Sequence, residues 1–472
     1  MGSEVSPSGG VRASSNDVRT PLLACGKQQF SGRILITGTR SGAGKTTVAV
    51  AIIAALKARG IPVSAFKCGP DYIDPMFLSS ALGVPARNLD PYFSTPDDLR
   101  RAVAGSTRAS IGVIEGVMGY FDGIGSTTRA STFQVADATE TPAILVLDAT
   151  GMAASAAAIL QGFVGYRAPS HLGAVILNNA TPGTYSLLEP VIRDIGLTPL
   201  GYLPRLESVT WPSRRLGLIP ANEIPALTAS ITHLAQSAAG SLDLDTLLRL
   251  ASSAPQLTTE DTRPETPDVR VAIANDEAFC FIYAETIQLF ETLGAGIIFF
   301  SPMHDPHLPD ADALYLPGGY PEIHAETLSA NLSMRDDIRQ WVTTGGPTIA
   351  ECGGFMYLLD EIGRHPMVGA IPGAASITDR LRRFGYATLT ATRDTMLLHE
   401  GEVMPVHEFH YADSTSNGEA FTATKASTGE SYPCGHATDT LYAGFPHLYL
   451  PAVPQAAARF LRRARRGTEA HP

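Results

Sequence analysis

"GRILITGTRSGAGKTT", residues 32–47, decides the fold. It opens as a short apolar run rich in β-branched residues and closes on the Ala-rich stretch "VAVAIIAALKARG". The run predicts a strand, the stretch a helix, and the glycines between them a tight turn. That is the setting a phosphate-binding loop requires. Gly42 and Gly44 let backbone N–H groups turn toward phosphate oxygens, Lys45 reaches terminal phosphates, and the Thr46 hydroxyl offers a ligand for Mg²⁺, with Thr47 beside it. Strict spacing would put glycine at position 39; Thr39 stands there and Gly38 lies one residue earlier, so the loop is a variant.

Outward from this loop, "PVSAFK", "SIGVIEG", "AILVLDA", "GAVILNN" and "PLGYLP" alternate with helical stretches. Near-continuous apolar strands separated by helices indicate an α/β fold with a parallel sheet covered on both faces. The pattern dissolves around 238–268 into "SSAPQLTTEDTRPETPD", and "VRVAIANDEAFCF" starts a second series. The expected layout is a disordered tail over 1–31, an α/β domain over 32–237, a linker over 238–268, a second α/β domain over 269–460 and a basic tail over 461–472.

The 472 residues exceed one ordinary core, consistent with two domains. A net charge of -11 argues against a nucleic-acid protein, which needs a basic surface. The five cysteines, Cys25, Cys68, Cys280, Cys352 and Cys434, form no CxxC pair, which suggests neither a zinc knuckle nor a disulfide framework. No apolar run is long enough for a membrane span and no secretory layout opens the chain, so a cytoplasmic enzyme is the expectation. The sequence leaves a homodimer open.

Three further stretches carry chemistry. "VIEGVMGYFDG" puts Glu115 at a strand's C-terminal end, where ligands of open α/β sheets collect, and Asp122 in a Gly-rich loop after it. Glu115 is a candidate Mg²⁺ ligand beside Thr46. Asn178, ending "AVILNN", could hydrogen-bond adenine. "FKCGPDYIDPMF", residues 66–77, holds Asp71, Tyr72 and Asp74 between two prolines, a stiff polar loop whose acids are read as facing a shared space. "GGPTIAECGGFMYL" places Cys352 on a strand-to-helix turn with Glu351, Gly353 and Gly354 around it, the layout of a nucleophile elbow. There the helix N-terminus is expected to lower the thiol pKa. The backbone N–H groups of Gly318 and Gly319, in "LYLPGGYPE", could stabilise an oxyanion. His447 and His410 are the candidate bases, and spacing does not choose between them.

With "RNLDPYF" and "ALYLPGGYPEIHAETLSAN", these segments make the chain similar to the cobyrinic acid a,c-diamide synthases of cobalamin biosynthesis over about residues 32–455. The resemblance implies a P-loop domain of the dethiobiotin-synthetase type followed by a class I glutamine amidotransferase domain. It implies amidation of the a and c acetates of a corrin, cobyrinic acid, with ATP, Mg²⁺ and glutamine. It makes Cys352 the glutaminase nucleophile and His447 its activator, a dyad without a third acidic member, and leaves His410 a structural role. Glu115 and Asp122 match acids of the ATP-dependent step, and Asp71, Tyr72 and Ile73 match a substrate-facing loop. Two positions depart from the family pattern: Arg215 in "RRLGL" and Tyr449 in "HLYL" each replace a histidine. The same reaction on hydrogenobyrinic acid or nickel-sirohydrochlorin is the alternative. A regulatory P-loop ATPase with a degenerate glutaminase is a more distant one, against which the intact Cys352 and His447 argue.

Overall fold

In the computed structural model, which describes residues 31–206, 213–214, 217–218, 227–258 and 268–469, the opening apolar run becomes a central strand. This strand, β1 (Gly32–Gly38), lies in a seven-stranded sheet with β2 (Val63–Cys68), β3 (Ala86–Leu89), β4 (Ile111–Glu115), β5 (Ala143–Asp148), β6 (Leu172–Asn178) and β7 (Thr198–Leu203). The spatial order is β3-β2-β4-β1-β5-β6-β7, with every pairing parallel. β2 and β4 are buried along their whole length, which is why they read as largely apolar runs, with Lys67 and Glu115 near their C-terminal ends as the charged exceptions. The helix after the loop, α1 (Lys45–Ala58), buries every residue from Val48 to Leu56. A helix that is apolar all round must be covered on its outer side too. The helix Leu227–Ser241 supplies that cover through Leu234 and Ala238, which share a core cluster with α1.

The expected linker start at 238 therefore falls inside a packed helix. A second helix, Leu244–Ser252, follows, capped by Asp243, whose Oδ1 accepts from the Thr246 amide at 2.9 Å. It buries Leu244, Leu247 and Ala251 against the same core. The Pro/Thr/acid composition belongs to the chain after it, of which 259–267 lie outside the described residues. The expected basic tail from 461 also belongs to a helix, Pro454–Glu469. Phe460, Leu461 and Ala464 are buried there, and Arg465 forms two 2.8 Å bonds to Asp268. The expected N-terminal tail, apart from Ser31, and Arg215 lie outside the described residues.

The second half centres on a six-stranded sheet in the order Ala295–Phe300, Val269–Ala274, Ala313–Leu316, Thr348–Glu351, Leu441–Gly444, His436–Ala437. The first five are parallel and the last antiparallel. Much of the chain between Leu359 and Leu448 builds antiparallel strands beside it. Five of these run in the order Ser431–Cys434, Phe421–Lys425, Arg383–Ala391, Val403–His410, His447–Leu448.

The two halves meet along the edge strand β3 and the chain after it. The Asn88 amide donates to Glu285 Oε1 at 3.0 Å, and the Tyr386 hydroxyl donates to Asp90 Oδ2 at 2.9 Å. Tyr92 stacks on Tyr386 at 4.3 Å between ring centroids, and Phe93 on Tyr449 at 5.0 Å. "RNLDPYF" is thus a docking strip that also covers an otherwise open sheet edge. Tyr449, one of the two family departures, is an aromatic member of this seam.

Candidate functional site

The phosphate loop has the backbone its glycines predict. Gly42 and Gly44 adopt φ of 75° and 98°, left-handed values that favour glycine. A Cβ on Gly44 would also lie 2.1 Å from Asn178 Nδ2. That amide donates to the Ala43 carbonyl at 3.1 Å, so Asn178 braces the loop from β6. It also lines an open cavity of about 780 Å³, together with Thr39, Arg40, Thr47, Asp148 and Asn179. Lys45 Nζ donates to the Arg40 carbonyl at 3.1 Å. Burial, reinforced by the charge of Lys67, lowers the Lys45 ammonium to about 8.

Next to the loop is a buried charge network that the strand register creates. In the parallel pairing Glu115 stands level with Ile36 on one side and Lys67 on the other. Glu115 Oε1 lies 2.5 Å from the Thr46 hydroxyl and 2.8 Å from Lys67 Nζ, and Lys67 Nζ lies 2.5 Å from Asp74 Oδ2. Burial works to lower the Lys67 ammonium, but the Asp74 and Glu115 carboxylates outweigh it and hold the ammonium well above its ordinary range. Burial pushes Glu115 up against the pull of Lys67. Asp122 is exposed, and its Oδ2 accepts from the Gly119 amide at 2.9 Å.

Lys67→Met is expected to lower stability by about 3–5 kcal/mol, because two carboxylates would lose the cation that justifies their burial. Thermal and denaturant unfolding against wild type measure it. An unchanged midpoint would show that the network is not the dry, interdependent unit described.

Of the three polar groups of the loop 70–75, Asp71 and Tyr72 border one small cavity, while Asp74 turns away from it to Lys67. Asp71 Oδ1 accepts from the Ile73 and Asp74 amides at 2.9 and 3.1 Å, fastening the start of helix α2 (Ile73–Leu82). Burial and the neighbouring Asp74 raise its carboxyl to about 7. Asp74 turns to Lys67. Tyr72 points across the seam, packing on Tyr283 at 4.2 Å, Phe281 at 5.3 Å and His447 at 5.3 Å. Ile73 is buried in the same aromatic cluster.

On the other side of the seam Cys352 sits on a true elbow. It follows the strand Thr348–Glu351 and precedes the helix Gly353–Leu358, with φ 46° and ψ -99°. For a residue with a side chain that conformation costs on the order of 1–3 kcal/mol and persists only where its surroundings enforce it. Here the Cys352 amide donates to the Gly444 carbonyl at 2.7 Å. A Cβ on Gly354 would lie 2.0 Å from the Leu316 carbonyl oxygen, and one on Gly353 would lie 3.0 Å from Gly319 N. A Cβ on Gly318 would lie 2.5 Å from His447 Cε1. The Gly318–Gly319 pair therefore lies between the cysteine turn and the histidine.

The expected lowering of the thiol pKa is not found. Burial, with the charge of Glu322, pushes the Cys352 thiol well up against the pull of the Gly353 amide. A helix of six residues has too little aligned dipole to offset that. His447 is buried likewise; burial and then His410 lower its imidazole to about 3. Burial thus disfavours both the thiolate and the imidazolium. His447 forms a small cavity of about 150 Å³ with Asp71, Tyr72, Val117, Phe384 and His407. Of the two candidate histidines, His410 is committed elsewhere: Nδ1 donates to the Ala412 carbonyl at 2.7 Å and the ring stacks on Phe445 at 4.0 Å.

Comparison with known proteins fits both sites. Residues 34–219 match the CobQ/CobB/MinD/ParA nucleotide binding domain, and residues 270–451 the CobB/CobQ-like glutamine amidotransferase domain. A cobyrinate a,c-diamide synthase of Caldanaerobacter subterraneus subsp. tengcongensis is 36% identical over 91% of this chain and 97% of its own length. One from Priestia megaterium is 37% identical over 88% of this chain and 94% of its own. A hydrogenobyrinate a,c-diamide synthase of Thermobifida fusca is 37% identical over 91% of this chain and 96% of its own. The chain belongs to the cobyrinate a,c-diamide synthase family.

The α/β fold expected from the sequence is thus a P-loop domain joined to a class I glutamine amidotransferase domain. Among the described residues no helix is long and apolar enough to cross a membrane. Within this family frame, Lys67 and Glu351 are the site residues that the sequence reading left without a role. A lysine inside the otherwise apolar strand "VSAFKC" was the available signal for the first, and a glutamate closing the buried strand "TIAE" for the second.

Proposed function

We propose that this chain is a ligase that uses ATP and glutamine to amidate the a and c acetate carboxylates of cobyrinic acid. The observation that carries the reading is the placement of Tyr72. It belongs to the loop beside the phosphate site and lies against His447 of the cysteine site, so two unlike chemistries adjoin in one molecule.

The chemical problem is that a carboxylate oxygen is a poor leaving group for ammonia to displace. Transfer of the ATP γ-phosphoryl to the carboxylate gives an acyl phosphate, whose leaving group is phosphate. Lys45 and the amides of the loop Gly42–Gly44 offset charge on the transferring group, a largely electrostatic contribution. Thr47 and Asn178 flank the nucleotide cavity. Thr46 and Glu115 fit a hard cation: the Thr46 hydroxyl adjoins the carboxylate, and Glu115 Oε2 is buried without a partner. Mg²⁺ held there would neutralise phosphate charge. Asp122 borders this site, and Asp71, Tyr72 and Ile73 form the wall of the acceptor site nearest the seam.

In the second half Cys352 attacks the glutamine side-chain amide as its proton passes to His447. The amides of Gly318 and Gly319 stabilise the oxyanion, ammonia leaves, and water hydrolyses the thioester to glutamate. Ammonia then crosses the seam unprotonated to reach the acyl phosphate. Hydrogenobyrinic acid is the second reading for the acceptor, favoured by the similarity to the Thermobifida fusca enzyme. Mass spectrometry of the products from cobyrinic acid, hydrogenobyrinic acid and nickel-sirohydrochlorin, each supplied with ATP and glutamine, decides among them. A doubly amidated product from cobyrinic acid is expected. No amidation of any of the three would overturn the proposed function.

A further inference from the structure

Glu351 is fully buried at the end of its strand, immediately before Cys352, and neither carboxyl oxygen has a hydrogen-bond partner. The Leu448 amide and the Tyr315 hydroxyl approach it closely enough to favour its ionised form without completing hydrogen bonds. Burial prevails and pushes the carboxyl up to about 8. An unpartnered buried carboxyl is costly to keep, so its retention calls for a use. Among the described residues, His447 Nδ1 is another buried polar atom without a partner, and it lies 3.8 Å from Glu351 Oε2.

The neighbouring acid Glu408 has one of its two oxygens bonded. Its Oε2 accepts from the Tyr432 hydroxyl, and its Oε1 lies 3.7 Å from His410 Nε2. Glu351 alone of the two has both oxygens uncommitted. We propose that Glu351 is a positioning residue for glutamine hydrolysis, the third member of a Cys352–His447–Glu351 group. This rests on the reading of Cys352 and His447 as the glutaminase pair, and it adds the acidic member that the family resemblance leaves out.

The roles follow from imidazole chemistry. When the gap to Nδ1 closes, the hydrogen bond from Nδ1–H favours the ionised form of Glu351 against its burial, and the carboxylate so formed fixes the proton on Nδ1 and leaves the Nε2 lone pair free to accept. The thiol proton of Cys352 moves to Nε2, the sulfur bonds to the amide carbon, and the C–N bond breaks. The same proton then goes to the departing nitrogen, which leaves as ammonia. Throughout, Glu351 keeps hold of Nδ1–H and offsets the imidazolium charge. The gap of 3.8 Å is longer than a hydrogen bond, as is common before substrate binds, and closes by under about 1 Å in the working complex.

Glu351→Gln and Glu351→Asp test this, with glutamine hydrolysis, ammonia-driven amidation and thermal unfolding measured on the full chain. Glu351→Gln is expected to lower kcat for glutamine hydrolysis by about 10²- to 10⁴-fold with KM within about threefold. Its unfolding midpoint should stay level or rise, since a buried ionisable group is gone. Glu351→Asp is expected to restore part of the lost kcat. Unchanged kcat in Glu351→Gln overturns the assignment. So does a loss that simply tracks a lower midpoint and weaker ammonia-driven amidation, since both would mark a structural role. A wild-type chain that releases no ammonia from glutamine would overturn the underlying glutaminase reading instead, and this inference with it.

Discussion

Cys352→Ala is expected to abolish glutamine-dependent amidation, by at least about 10⁴-fold, while ammonia-driven amidation continues. The thiol is the only nucleophile the proposed reaction has for the glutamine amide, and its loss leaves oxyanion and binding contributions alone. The backbone argues that the variant will fold. Alanine is smaller than cysteine, and the strained turn is enforced by Gly354 under the Leu316 carbonyl and by the bond from the Cys352 amide to Gly444, neither of which involves the sulfur. Steady-state rates with glutamine and with ammonium salts at the same pH make the comparison. A folded variant that ammonia fails to rescue would show that the halves are not separate stations of one reaction.

Lys45→Ala should remove both nitrogen sources together, by about 10³-fold or more in kcat, because activation of the carboxylate precedes any amination. Lys45 opens helix α1 at the point where loop amides converge, and its ammonium already lies between the charges of Lys67, Glu115, Asp122 and Asp74. Removing it leaves the loop path intact, since Asn178 and the glycines set that path. Retained ammonia-driven amidation would separate this loop from phosphoryl transfer. Ammonia release from glutamine, followed in parallel, reports whether the cysteine site remains folded.

The phosphate loop was legible because its chemistry is local: strand, glycines, lysine and helix follow one another within sixteen residues of quoted sequence. The cysteine elbow was legible for the same reason. Lys67 was not, since its value lies in register with Glu115 on a neighbouring strand and in a helix start that brings Asp74 back to it. Tyr72 stood in a loop read as facing substrate, yet its direction is set by an aromatic cluster supplied from the other half. Composition also misled at both boundaries. Residues 244–252 form a capped amphipathic helix despite adjoining a polar stretch, and the arginine-rich 459–465 keeps its apolar residues on one buried face. Sequence alternation says little about where partners come from when the partners are more than a hundred residues away.

The aromatic seam bears on how the enzyme matures. During synthesis the first half emerges earlier and, until the second half arrives, Tyr72, Tyr92 and Phe93 lack the rings of that half on which they pack. His447 in turn lacks one wall of its surroundings until Tyr72 is seated. In the proposed reaction, the surroundings of the glutaminase histidine are therefore complete only once the half that uses ammonia is folded beside it.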